Sequence, residues 1–127
     1  MAIFGVGVDI VQMSRVADLY EKFPNRFPER ILTESELKEL KQQSEPVLFL
    51  AKRFAAKEAA AKALGTGFRK GVSFQDFEIQ HESGGRPKLL VEGMASRIIL
   101  DAGVQKLHVS ISLLVPRTNF TLLHARG

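Results

Sequence analysis

Residues 46–64 read PVLFLAKRFAAKEAAAKAL and are followed by Gly65, Thr66 and Gly67. Seven alanines between positions 51 and 63 favour helix strongly. Proline is tolerated in a first helical turn and glycine closes a last one, so a single long helix is expected over about 46–64. Downstream the period of the pattern changes. Residues 74–80 and 87–91 read as two strands joined across Gly84 and Gly85, helix returns over about 93–102 and stops at Gly103, and strands near 106–114 and 118–125 turn at Pro116. Upstream, residues 3–11, IFGVGVDIV, alternate as a buried strand. Val16, Leu19, Tyr20 and Phe23 then recur at helical spacing from Ser14 until Pro24, and Thr33 with Glu36 forms a capping box that opens a helix ending near Ser44. The sum is an α+β fold, a small antiparallel sheet packed with a long central helix and shorter helices.

At 127 residues, with 45% hydrophobic and 25% charged side chains, the chain has room for one domain over 1–127, able to fold without crosslinks or metal. With no cysteine it has no disulfide framework, thiolate nucleophile or thiolate zinc site. No apolar run approaches the ~20 residues that cross a bilayer, and the N-terminus lacks the basic start and cleavage site of a signal peptide. A cytoplasmic protein with no membrane association is expected. The net charge of +4 is unevenly placed. Residues 49–70 carry Lys52, Arg53, Lys57, Lys62, Arg69 and Lys70 against Glu58 alone, which leaves the rest of the chain slightly acidic. A protein that tracks a polyanion spreads its cations over a long face and adds stacking aromatics, whereas this chain has no Trp and one Tyr. The pattern suits a compact anionic ligand and argues against a nucleic-acid-binding module.

Asp9 is an unusual carboxylate on a strand face otherwise lined by Gly5 and Gly7. It suits a bound metal, or, with Gln12, a D-x-x-Q capping box for the first helix. Glu58 and Lys62 are four apart, on one side of the long helix among small neighbours. They read as a surface ion pair or, given the alanine-rich setting, as charges inside a cleft. Arg53 and Lys57 form another such pair, two cations that repel unless an anion such as phosphate, or solvent, disperses the charge. Gly65, Thr66 and Gly67 end the helix, and their N–H groups also suit a phosphate.

The strand GVGVDIV that carries Asp9, followed some fifty residues later by RFAAKEAAAKALGTG over residues 53–67, resembles the holo-acyl-carrier-protein synthases, the short type of 4'-phosphopantetheinyl transferase. The resemblance is nearly full length. It takes in Arg15, RFPERILTESEL at 26–37, GGRP at 84–87 and HVSIS at 108–112. It implies transfer of the phosphopantetheine arm of coenzyme A to a serine hydroxyl of apo-acyl carrier protein, releasing adenosine 3',5'-bisphosphate in support of fatty acid biosynthesis. The resemblance assigns Mg²⁺ to Asp9 and Glu58, and a hard ion that takes one or two carboxylates plus phosphate oxygens suits that pair. Lys62 is implied as the group that holds a phosphoryl oxygen or assists the leaving group, with Glu58 or a water near Asp9 as the base. Arg53, Gly85, Pro87 and His108 are implied contacts to the nucleotide part of coenzyme A. Arg15, Lys22 and Arg26 are implied contacts to the acidic helix of the carrier protein. The family assembles as a homotrimer with shared sites. Residues 113–117, LLVPR, depart from the family pattern of a His or Asp and a polar turn after S-I-S, which leaves a degenerate homologue as the alternative.

Overall fold

The long helix expected over 46–64 is the axis of the fold. The structure, a computed structural model, describes residues 10–81, 84–85, 87–102 and 123–125. In order along the chain these residues form α1 (Ile10–Lys22), α2 (Arg26–Ile31), α3 (Glu34–Leu40), α4 (Pro46–Leu64), a 3-10 turn (Phe74–Asp76), β1 (Phe77–His81), β2 (Pro87–Val91), α5 (Gly93–Ala102) and β3 (Leu123–Ala125). Pro46 occupies the first turn of α4, and Gly65 caps its end at φ +85°, a conformation open to glycine. The first half of α4 contributes Leu50 and Ala51 to a helical core with Val16, Phe27, Ile31 and Leu32. The second half contributes Ala56, Ala60 and Ala61 to a core shared with Phe77 and Ile79 of β1, Leu89 and Val91 of β2, and Ala95 and Ile99 of α5. One helix thus joins two apolar clusters, its alanines allowing close approach on both sides.

β1 and β2 pair antiparallel, Phe77 opposite Val91 and Ile79 opposite Leu89, so the large apolar residues of both strands meet on the core face. β3 lies parallel to β2, with Leu89 opposite Leu123. Of the expected strand over 118–125 the described residues, Leu123–Ala125, form β3, and among the described residues the sheet is mixed, not wholly antiparallel. The expected strand over 106–114 lies outside the described residues.

Three boundaries differ from expectation, each for a local reason. Helix α1 begins at Ile10, not Ser14, so Ile10 and Val11 are helical and the expected strand over 3–11 is at least two residues shorter. A helix starts immediately after Asp9, which itself lies outside the described residues. Residues 26–31, with Pro28 tolerated in the first turn, form the unexpected α2. Strand β1 begins at Phe77 because Ser73 and Asp76 box a 3-10 turn over the residues expected to start it. Helix α3 opens on the expected Thr33–Glu36 capping box, with Thr33 Oγ1 accepting from Glu36 N at 3.3 Å and Glu36 Oε1 accepting from Thr33 N at 3.0 Å. It ends at Leu40, four residues early, where Gln42 and Gln43 donate their N–H groups to Glu39 and Leu40 in a tightened last turn.

Candidate active site

Glu58 and Lys62 lie on adjacent turns of α4, the carboxylate half-buried and the lysine exposed. Among the described residues they do not form an ion pair with one another. Glu58 Oε1 instead accepts a hydrogen bond from Gln12 Nε2 of α1 at 3.3 Å. The start of α1 is thereby brought against the middle of α4, and Gln12 is three residues after Asp9, which lies outside the described residues, as does His108. Beside this contact Arg15 of α1 places its guanidinium carbon 6.0 Å from the centre of the Phe54 ring, within cation–π range. Phe54 in turn stacks on Phe74 at 5.3 Å, and Phe74 on Phe68 at 3.9 Å, so Phe54 is the packing residue its position suggests.

The other pair of α4 cations behaves differently from either expectation. Arg53 and Lys57 are both buried and turn inward to Glu36, a residue the sequence marked only as part of a cap. Glu36 is fully buried, and its carboxylate accepts from Lys57 Nζ at 2.6 Å, Arg53 Nη1 at 2.9 Å, Ile79 N at 3.0 Å and Thr33 N at 3.0 Å. Lys57 Nζ also donates to Ile31 O at 2.8 Å, and Arg53 donates to Ile79 O at 3.1 Å and to Glu39 at 3.4 Å. Burial alone pushes the Glu36 carboxyl upward, but the Lys57 charge and hydrogen bond and the N–H groups of Ile79 and Thr33 outweigh it and hold the group below its ordinary value. Burial holds the Lys57 ammonium below its ordinary value, with Arg53 adding to the effect and Glu36 opposing it. The concentrated positive charge read from residues 49–70 is thus smaller at the surface than in the sequence, since two of its six cations are neutralised inside. One signal in the sequence pointed here: two cations four apart on an alanine-rich helix need a buried acid nearby, and Glu36 opens the preceding helix.

Helix termination also accounts for Gly65 and Gly67. Their N–H groups donate to Lys62 O at 2.9 Å and Ala61 O at 3.1 Å, so these amides are engaged by α4 and are not open to a phosphate. Thr66 is buried, with its hydroxyl on Gly67 O, and Arg69 donates to Thr66 O. Arg15, Lys22 and Arg26 are all exposed. Arg15 and Lys22 are seven apart and share a face of α1, while Arg26, at the start of α2, lies 5.9 Å over the ring of Phe23. Arg26 and Phe23 line an open cavity of about 510 Å³ with Leu19, Phe27, Glu29 and Arg30. Gly85 sits at φ +81° in the exposed connection between β1 and β2, and Pro87 is buried at the start of β2.

The chain is similar to known proteins over most of its length. The profile of the 4'-phosphopantetheinyl transferase superfamily matches residues 5–115. The holo-[acyl-carrier-protein] synthase of Hamiltonella defensa is 48% identical over 112 residues, 88% of this chain and 89% of its own length. The chain belongs to the holo-[acyl-carrier-protein] synthases of the 4'-phosphopantetheinyl transferase superfamily. As a member it is an enzyme, a transferase. The synthase of Yersinia pestis is 46% identical over the same share of both chains. Among solved structures, the Neisseria meningitidis holo-[acyl-carrier-protein] synthase superposes with a TM-score of 0.66 at 48% identity, covering 80% of this chain and 81% of that one. The Bacillus anthracis synthase, in complex with CoA (3',5'-ADP), superposes with a TM-score of 0.54 at 44% identity, covering 72% of this chain and 77% of that one. The fold class and the family read from the sequence are those found. Among the described residues no helix is long and apolar enough to cross a membrane.

Proposed function

We propose that the chain, acting as one domain over 1–127, transfers 4'-phosphopantetheine from coenzyme A to a serine hydroxyl of apo-acyl carrier protein, and so serves fatty acid biosynthesis in the cytoplasm. The observation that carries this reading is the 48% identity to a named synthase across nearly the whole of both chains. The serine oxygen attacks the phosphorus that bears the pantetheine arm. The bond from that phosphorus to the bridging oxygen breaks, and adenosine 3',5'-bisphosphate leaves. Glu58, or a water held near Asp9, takes the serine proton. Lys62, exposed one turn beyond Glu58, holds a phosphoryl oxygen or stabilises the leaving group.

Magnesium fits the donor set: Glu58 offers carboxylate oxygen from α4, and Asp9 stands immediately before the helix whose Gln12 is bonded to Glu58. When bound, the ion neutralises pyrophosphate charge and the charge that grows on the phosphorus under attack. His108, Gly85 and Pro87 are proposed at the nucleotide. Arg53 joins them under a physical condition, because its guanidinium is buried on Glu36 and only its longest bond, Nη2 to Glu39 at 3.4 Å, is easily exchanged for a phosphate oxygen. Arg15, Lys22 and Arg26 are proposed to meet the carrier's acidic helix, and the active assembly is proposed to be a homotrimer.

Incubation with apo-carrier, coenzyme A and Mg²⁺, followed by weighing the carrier, tests the reading. A phosphopantetheine adduct is expected, abolished by chelation and reduced about 100-fold or more in rate by Glu58→Gln. An unmodified carrier would refute the activity, and an adduct that survives strict metal depletion would refute the Asp9 and Glu58 assignment.

A further inference from the structure

Helix α4 carries both proposed reacting side chains on its second half, where the buried side chains other than Lys57 are all alanine, while the larger apolar anchor Leu50 lies in its first half. Five of its eight buried residues are alanine, at positions 51, 55, 56, 60 and 61, and apolar residues occur on every side of it. Alanine surfaces allow close approach but look alike from one position to the next, so beyond Phe54 a locally rolled or overwound turn buries nearly the same methyl groups. What differs around the helix is charge. Lys57 is fully buried, with its ammonium on Glu36 Oε1 at 2.6 Å and on Ile31 O at 2.8 Å, which ties α4 to the start of α3 and the end of α2. Arg53, one turn earlier, holds the other oxygen of the same carboxylate at 2.9 Å. Glu58 is the next residue after Lys57, about 100° around the helix. A roll of one position would bring Glu58 inward against Glu36, two carboxylates face to face, and would turn Lys57 out.

We propose that Lys57 is a positioning residue for the transfer reaction, its bond to buried Glu36 setting the roll of α4 that presents Glu58 to Gln12 and sends Lys62 outward. The inference rests on the transferase reading above. It makes the signs of residues 57 and 58 a matched pair: a cation that must face in and an acid that must not.

Lys57→Met keeps an unbranched side chain of similar length and leaves Glu36 with Arg53 and two backbone N–H donors. Leu50→Ala, in the same helix, serves as a control, since it opens a hole in the core without touching Glu36. Both are compared with the unaltered chain at a temperature where melting curves show all three folded. Lys57→Met is expected to lower kcat about tenfold or more, to raise the Mg²⁺ concentration for half-maximal rate several-fold, and to leave KM for the carrier within about twofold. Mn²⁺ binding with coenzyme A present, followed by electron paramagnetic resonance, should weaken in parallel without any need for turnover. Leu50→Ala should melt earlier but keep kcat within about twofold. If Lys57→Met does not fold, Lys57→Gln, an uncharged donor that ends one atom short of the lysine nitrogen and so weakens the tie to Glu36, takes its place with the same expectations at smaller size. An active unaltered chain with Lys57→Met unchanged in kcat, or with both variants slowed equally, overturns the positioning role alone. An inactive unaltered chain overturns the transferase reading and this inference with it.

Discussion

Gly93 opens α5 at φ +62°, and a Cβ there would lie 2.6 Å from Oδ1 of Asp76. That aspartate is itself occupied, accepting from Ala95 N at 3.2 Å and from the Ser73 hydroxyl at 3.1 Å, so it cannot retreat without uncapping α5 and loosening the turn before β1. Gly65 has the same kind of positive φ but open space around its Cβ position. Gly93→Ala is therefore expected to cost about 2–3 kcal/mol, where Gly65→Ala costs about 1 kcal/mol, read from urea midpoints. Equal losses would mean that the backbone conformation alone, and not Asp76, constrains Gly93. Residues of this kind were partly legible. Glu58 and Lys62 stood out by spacing because the helix that carries them was unmistakable. Glu36 did not, because its role as the third residue of a cap hid its second role: one carboxylate oxygen caps α3 and the two together receive Lys57 and Arg53, partners that lie 21 and 17 residues away.

At the scale of elements, Thr33 shows how a short helix is held. Its hydroxyl accepts from Glu36 N and donates to Glu78 Oε1 of β1 at 2.5 Å, so the start of α3 is pinned both to itself and to the sheet. A seven-residue helix has little stability of its own, so its end interactions count for more than its propensity. Thr33→Ala is expected to lower stability by about 1–2 kcal/mol and to speed amide exchange first in α3, as hydrogen exchange would report. Uniform acceleration across all helices would show instead that the loss is global. The elements legible in the sequence were those with strong local signals, the capping box of α3, the alanines of α4 and the period of β1 and β2. Helix α2 was missed because Pro24 and Pro28 punctuate it, though a proline in a first turn costs little. The start of α1 was misplaced because Ile10 and Val11 are β-formers that continue an alternating run, and local pattern could not decide where the strand ended.

For the whole molecule, the parallel placement of β3 beside β2 depends on a long-range pairing that no local pattern encodes, whereas the two apolar clusters joined by α4 follow from its composition. The buried charge cluster links these parts, since Glu36 bonds to α3, α4 and β1 together, and it should therefore mark how the entire fold responds to pH. Glu36 is held below the ordinary 4.5 when folded, so in acid the unfolded chain binds the proton first and its binding drives unfolding. The stability that Glu36 contributes is fully present above about pH 4.5 and is lost as pH falls through the folded value. Lys57 is also held below its ordinary 10.5, so in alkali the unfolded chain again holds more protons, and raising pH through that window relieves a burial penalty and adds stability. Acid, not mild alkali, is thus the direction in which this cluster fails. Urea midpoints taken from about pH 7 down to about pH 3 should fall steeply for the unaltered chain. Glu36→Gln, which strands two buried cations, should start about 3 kcal/mol lower at neutral pH and fall less steeply over the same range. Leu50→Ala should run parallel to the unaltered chain at a lower level. Equal slopes for the unaltered chain and Glu36→Gln would place the acid sensitivity in the surface carboxylates and remove Glu36 as its source.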